Sequence, residues 1–431
     1  MGIKTKRLIT KTRSCSCSMP GVWRAAAHSK GAVVIFHSPK ACAHIARTMD
    51  SAEHFRRIAK DEYTSYSYQA PLISSLLSEK HSIFGGSQQL EDCIEYVVNT
   101  YSPKYLVIAN SCVAGVIGDD VEAICSAAEK RWNLPVITVP CYGFLDGEYY
   151  AGYFYTAEAM IDRLVEPEGK KTGKALLLGD QGGPNGEYCR EIKHLLSYFD
   201  LEVQGQFPTY VDYEQMNLVA SSSLNIVLGS RDQTNEWLIK LAKKMEENFG
   251  TPYYGREYPI GWNNTQKWLR GLGSLLNKKN EAEKAIIFEK NKLDEAVAKY
   301  SNKMNGKKTV ICIGRLIEYF DPSWVIELIE KTGLELQGII LFDGYAQKDR
   351  VAMETLIKSI CDKPVYSSRE GEALIGKADI VLTTHEIATD GIRQLFLPML
   401  PRAGANGEIE LIKKMSHVFS RKGMKGGIIY G

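Results

Sequence analysis

The chain has 431 residues, 44% hydrophobic and 24% charged, with 53 Lys and Arg against 51 acidic residues. Such a length exceeds one ordinary core and sets an expectation of roughly two to four domains. The net charge of +2 excludes a dedicated polyanion binder, since binding nucleic acid requires a basic surplus to neutralise phosphate.

The first eighteen residues, MGIKTKRLITKTRSCSCS, are basic but lack the apolar core of a signal peptide. No run approaches the roughly 18 apolar residues of a membrane span. The expectation is therefore a cytoplasmic protein with no membrane and no nucleic-acid partner. Its ten cysteines read as buried thiols plus some metal ligands, not as a disulfide framework.

In chain order one theme recurs. Gly31 to Phe36 (GAVVIF) reads as a strand, His37 to Cys42 as its following turn, and a helix begins near Ala43. Gly85-Gly86-Ser87 opens a helix over Gln88 to Asn99. After the turn signal Ser102-Pro103-Lys104, the branched apolar run Tyr105 to Ala109 reads as a buried parallel strand. It delivers Cys112 to a turn loosened by Gly115 and Gly118, and Asp119-Asp120 open the next helix. Pro135 to Cys141 (PVITVPC) is another strand, again ending in a cysteine.

The charged segment Glu166 to Lys171 marks a boundary. Strands follow at Lys174 to Gly179 and Leu224 to Leu228, and helices at Glu187 to Tyr198 and Asn235 to Phe249. A long linking helix is expected over Asn277 to Asn302. Three further strands lie at Lys308 to Gly314, Leu336 to Phe342 and Asp379 to Thr383. The alternation predicts an α/β protein of three Rossmann-like α/β/α domains with mostly parallel sheets, divided at 1–170, 171–301 and 302–431.

Cys15 and Cys17 form a CxC pair, Cys42 follows Cys17 by 25 residues, and Cys112 follows Cys42 by 70. Thiolates brought together from separate strand ends can hold an iron–sulfur cluster. Cys93, Cys125, Cys189, Cys312 and Cys361 fall in apparent helices or strands and read as small buried hydrophobes. The glycines at Gly85-Gly86 and Gly182-Gly183 fit neither the GxxxxGKS/T nor the GxGxxG spacing, so ATP and NAD binding are unsupported. His385, in VLTTHEIATDG, is a proton-donor candidate set against the commoner structural histidine.

The segments SKGAVVIFHSPKACAHIARTMD, IFGGSQQLEDCIEYVVNTYSPKYLVIANSCVAGVIGDDVEA and PVITVPCYGF resemble the amino-terminal part of the nitrogenase component 1 family in order and spacing. The likeness continues through NIVLGSRDQTNEWLIKLAKKMEENFGTPYY. That family includes nitrogenase subunits, scaffolds for cofactor assembly, and reductases of tetrapyrroles and small organosulfur compounds. The resemblance implies cluster ligands at Cys17, Cys42 and Cys112, with Cys15 as the alternative leader ligand. It implies an iron–sulfur cluster, four-iron four-sulfur or larger and P-cluster-like, shared with a second component 1 subunit that is a paralogue or a copy of this chain. Electrons would come from a separate P-loop iron protein that hydrolyses ATP.

Departures from the family pattern also carry information. Where nitrogenase's catalytic subunit has a cofactor cysteine, this chain has Gly229, followed by Ser230 and Arg231, and where a histidine pair follows a glycine it has Tyr153 and Phe154. The resemblance therefore implies a non-cofactor partner or scaffold type. The resulting expectation is an electron-accepting subunit of a two-component reductase. Its alternatives are a metallocluster scaffold and a metal-free α/β small-molecule binder. Arg231 offers a cation for an anionic substrate, against the commoner surface salt bridge.

Overall fold

The computed structural model describes residues 4–5, 17–59, 68–145, 149–167, 170–229, 234–314, 320–342, 347–385, 387–388, 391–398, 402–421 and 428–430. Cys15, Ser230 and Arg231 lie outside them. A short antiparallel pair joins β1 (Lys4–Thr5) to β14 (Ile387–Ala388). All other pairings among the described residues are parallel and fall into three sheets.

The first sheet has the order β3-β2-β4-β5, built from β2 (Ala32–His37), β3 (Leu72–Ser74), β4 (Tyr105–Asn110) and β5 (Val136–Tyr142). The second has the order β7-β6-β8-β9, with β6 (Ala175–Leu178), β7 (Val203–Phe207), β8 (Leu224–Val227) and β9 (Tyr253–Tyr254). The third, β12-β11-β10-β13-β15-β16, takes β10 (Lys308–Ile313), β11 (Glu335–Leu341), β12 (Val365–Ser367), β13 (Ile380–Thr383), β15 (Gln394–Phe396) and β16 (Ile428–Tyr430). Central strands are mostly apolar because helices cover both faces. Every residue of β6 and β8 is buried.

The expected α/β class is therefore the observed one. The linking helix runs Lys279–Tyr300 and packs against the helix Gly404–Ser420. One local reading is corrected. Residues Cys112–Ile117 form a short helix and not a loosened turn, because Ser111 caps it by accepting a hydrogen bond from the Ala114 amide,.

The first and second sheets are stapled by Arg24. Its Nε and a terminal nitrogen grip both oxygens of Asp180 at 2.8 and 3.0 Å, and the same terminal nitrogen donates to the Tyr210 hydroxyl at 2.8 Å. A planar fork matched to a carboxylate makes this a rigid contact.

Glu408, in the helix Gly404–Ser420, is buried beside Lys331 at 2.9 Å. Burial pushes its carboxyl up to about 7, against the pull of Lys331. A raised carboxyl holds its proton in the folded state after the unfolded chain has released it. Its contribution to stability is thus lost as pH rises from about 4.5 through about 7,. Glu408→Gln is expected to remove roughly 3 kcal/mol of that pH dependence, read from melting curves across the window. An unchanged slope would refute the assignment.

Candidate functional site

The four parallel strands of the first sheet end on one edge, and the turns there carry the candidate thiols. β2 ends at His37, and the helix Lys40–Ala59 starts three residues on, with Cys42 in its first turn. The Cys42 amide donates to the Pro39 carbonyl at 3.1 Å. β4 ends at Asn110, and the capping Ser111 donates its hydroxyl to the His37 carbonyl at 2.9 Å. One serine thus sets where the Cys112 helix starts and ties the end of β4 to that of β2.

Cys17 arrives from another direction, just ahead of the helix Met19–Ala26. That helix crosses the helix Tyr149–Leu164 at backbone contact. A Cβ on Gly21 would lie 1.8 Å from the Tyr149 carbonyl oxygen, and one on Gly152 only 2.0 Å from that of Ser18. Neither helix could come so close with a side chain at those positions. The amide and hydroxyl of Ser18 then both donate to the Gly143 carbonyl at 3.3 Å.

Gly143 marks the meeting point. Its φ is +58°, and a Cβ there would lie 3.7 Å from Cys17 Sγ, 3.7 Å from Cys112 Cβ and 3.1 Å from the Cys112 nitrogen. Cys17 and Cys112 therefore border the same small space. Burial pushes the Cys42 thiol up, the Ser38 hydroxyl pulls it down, and the nearby Cys112 raises it again. A metal bound there must displace the Cys42 proton.

All three cysteines are partly buried, and none is in a disulfide. They do not form a cage for one ion: among the described residues these thiols belong to no three-donor group within 4.8 Å. A tetrahedral ion with sulfur bonds of about 2.3 Å needs tighter convergence. A polynuclear cluster places each thiolate on its own iron and spreads them further apart. The donor set fits an iron–sulfur group of that kind.

Sequence reasoning passed over the pair that shapes this edge. His37 is fully buried, with Nδ1 3.0 Å from the Ser75 hydroxyl and Nε2 3.0 Å from Asp119. Asp119 also accepts from the Gly86 amide at 2.8 Å and the Ser87 hydroxyl at 3.3 Å. Burial lowers His37 despite Asp119. Burial alone would raise Asp119, but the Gly86 amide and His37 hold it below its ordinary value. The turn after Cys112 is thereby anchored to the strand that precedes Cys42. The only signal in the sequence was the first aspartate of IGDD.

The same edge is apolar and uncovered. Ile83 is 78% exposed, Phe84 85%, Val116 78%, Phe144 62% and Leu145 61%. Ile83 and Phe84 lie in the short helix His81–Phe84 after β3, Val116 in the helix Cys112–Ile117 after β4, and Phe144 and Leu145 in the turn after β5, at the sheet edge that carries Cys42 and Cys112. An exposed apolar patch of this kind marks an interaction surface. It lies over residues 83–145.

The remaining candidates sit in packed surroundings. Tyr153 is buried, 3.1 Å from the Thr209 hydroxyl, and Phe154 stacks on Trp237 at 5.7 Å. The Gly229 carbonyl accepts from the Tyr188 hydroxyl at 2.8 Å. His385 packs edge-on against Phe342 at 5.9 Å. Cys93, Cys125, Cys189 and Cys312 are buried in the core, whereas Cys361 is half-buried just past the helix Gln347–Ile360 and not within an element.

Gly152→Ala puts a methyl group into the Ser18 carbonyl. Overpacking of backbone against backbone should destabilise by about 3 kcal/mol or more, and should displace Cys17 with it. Chemical denaturation and the iron content of the refolded protein check both effects. Full stability with full iron would contradict the crossing.

Three parallel α/β sheets in one chain, with cysteines at the carboxyl edge of the first, define the class of fold. The profile of the nitrogenase component 1 type oxidoreductases matches residues 17–408, and the chain belongs to that family.

Among curated proteins, it is 30% identical over 248 residues to the nitrogenase iron-molybdenum cofactor biosynthesis protein NifE of Clostridium pasteurianum, covering 56% of this chain and 52% of that protein. It is 26% identical over 349 residues to the nitrogenase molybdenum-iron protein alpha chain of Methanosarcina barkeri, covering 79% and 62%. The chain spans about half the length of the first of these relatives. The solved structure titled nitrogenase Cp1 at pH 5 superposes with a TM-score of 0.65 at 15% identity, covering 97% of this chain and 90% of that one. No helix among the described residues is long and apolar enough to cross a membrane.

Proposed function

We propose that this chain is a subunit of a nitrogenase-like two-component reductase. Cys17, Cys42 and Cys112 would hold an iron–sulfur cluster shared with a second component 1 subunit, a paralogue or a copy. A P-loop iron protein would deliver electrons at the expense of ATP. The observation that carries this reading is the convergence of three partly exposed thiols at an uncovered apolar edge. The thiol-bearing unit is residues 1–170, followed by units at 171–301 and 302–431.

The bound cluster supplies an electron relay. The chain's residues do the rest. Cys42 gives up its proton on binding, Ser111 and the His37–Asp119 pair hold the flanking turns, and Phe84 with its neighbours excludes water once a partner seats.

The scaffold reading is favoured by the cofactor biosynthesis relatives, 30% identical in the matched stretch. Either reading agrees with Tyr153 and Phe154 buried in the core and with Tyr188 bonded to Gly229. No ammonia is expected from this chain as a homo-oligomer with iron protein and ATP, and sustained ammonia formation would overturn the proposal.

The deciding experiment mixes anaerobically purified protein with an iron protein and follows the low-temperature electron paramagnetic resonance spectrum with and without ATP. ATP-dependent reduction of the cluster supports the reductase. Absence of reduction, with transfer of iron and sulfide to an apo acceptor, supports the scaffold and refutes the reductase. Protein that never takes up iron and sulfide refutes both and leaves the metal-free binder.

A further inference from the structure

A second cluster of ligating side chains lies away from the thiols. Glu191 and His194 stand at i and i+3 on the helix Glu187–Ser197 and so share one helix face,. The facing helix Lys279–Tyr300 supplies Glu289 and Lys292 with the same spacing. One donor atom each from Glu191, His194 and Glu289 lies within 4.8 Å of the other two, the one such group among the described residues. A Glu-x-x-His pair on one helix with a glutamate from a facing helix is a metal-binding pattern of carboxylate-rich helical sites.

The surroundings point the same way. The Glu289 side chain is fully buried, Glu191 is 8% exposed, and the His194 side chain is 36% exposed, which opens the group to solvent on one side. Glu289 Oε1 is 2.9 Å from His194 Nε2 and accepts from the Tyr198 hydroxyl at 2.5 Å. Lys292 donates to both Glu289 oxygens at 3.1 and 3.3 Å. Glu191 Oε2 accepts from the Asn406 side chain at 2.8 Å. Glu191 Oε1 has no partner, although it is buried. Gly404 leaves room for that carboxylate, since a Cβ there would lie 2.2 Å from Oε1. An unpaired buried carboxylate oxygen costs more than a neutral one.

We propose that Glu191, His194 and Glu289 bind one divalent transition-metal ion, and that the Lys292 ammonium takes over the cation's role toward Glu289 when no metal is bound. Two carboxylates neutralise a divalent charge. Oxygen and imidazole donors without sulfur select zinc- or manganese-type ions and not soft cuprous ions. Lys292 bonds Glu289 alone, so it leaves Glu191 Oε1 unsatisfied, whereas a metal would bind both carboxylates. Its side chain is 32% exposed and can withdraw into water. The remaining coordination positions face solvent at His194, as in a three-ligand site with an open position.

Protons compete with the metal. The hydrogen bond to Glu289 raises His194, and burial raises Glu191. Glu289 is pushed up by its burial, yet the bonds from His194, Tyr198 and Lys292 bring it down to about 2. Metal binding should therefore weaken on acidification.

The test uses the full chain, stripped of metal by a chelator, and manganese as probe, because that hard ion avoids the thiols. The loss of the free manganese resonance signal counts bound ions. One ion per chain is expected in the natural protein, with affinity at least about tenfold weaker in Glu191→Gln and His194→Asn. Lys292→Met should bind more tightly, since the competing ammonium is gone. Circular dichroism confirms folding of each variant. Manganese binding equal in all four proteins would mean an adventitious ion and would overturn the site. So would the absence of binding in both the natural protein and Lys292→Met.

Discussion

Replacing Cys42 or Cys112 by alanine is expected to strip iron and acid-labile sulfide from anaerobically purified protein while the α/β core stays folded. Both thiols are partly exposed at helix starts, whereas the core of the first sheet comes from β4, whose Tyr105 to Ala109 are all buried. Removing a partly exposed sulfur should change stability by about 0.5 kcal/mol or less. Removing one thiolate from a set of three leaves an iron without its anchor, and iron content should fall to roughly a tenth or below. Cys125→Ala serves as the control, because its thiol is buried in the core and burial pushes it up to about 12. Iron unchanged in both test variants would eliminate the assignment.

Phe84→Asp is expected to break the assembly without unfolding the subunit. Three thiolates leave a cubane one ligand short, so the proposed cluster needs a second subunit against the same edge. Phe84 is 85% exposed and Ile83 78%, so neither supports the fold. An apolar side chain of this size contributes about 1.5–3 kcal/mol when buried. Truncating an aromatic anchor at an interface centre costs about 2 kcal/mol or more, or roughly 30-fold in dissociation constant. A buried aspartate is worse still. Sedimentation with metal analysis reads mass and iron together. A monodisperse monomer that keeps its full iron would contradict the shared site.

What the sequence made legible follows from the range over which each signal acts. The run Tyr105 to Ala109 reads as a strand because its apolar character is local, and Cys112 follows its end by arithmetic. The linking helix, expected over 277–302, is Lys279–Tyr300 for the same reason. Helical spacing persists over 22 residues. β9 and β12, with two and three residues, are too short to show any period.

The crossing of Met19–Ala26 with Tyr149–Leu164 was illegible for another reason. It depends on Gly21 and Gly152, far apart in the chain, each meaningful only once the other is in place. Arg24 is the same case, with its carboxylate partner 156 residues away. The resemblance supplied the candidate cysteines. It did not supply Ser111, His37 or Asp119, the residues that fix their turns.

The glycine crossing also bears on the order in which such a protein is made. Backbone contacts, apolar strands and a capping serine fix the segments that present Cys17, Cys42 and Cys112. In small metal-nucleated domains the free energy of metal binding is the free energy of folding. Here the scaffold can complete itself first and offer ready-made thiols to an incoming group. On the proposed function, the group and the partner would have to arrive together at the open edge around Phe84, because the partner completes the ligand set and a partner seated first would close the entrance. Until then the newly made chain would present reduced sulfur and bare apolar surface at one place, the moment at which oxidants and stray contacts would harm it most.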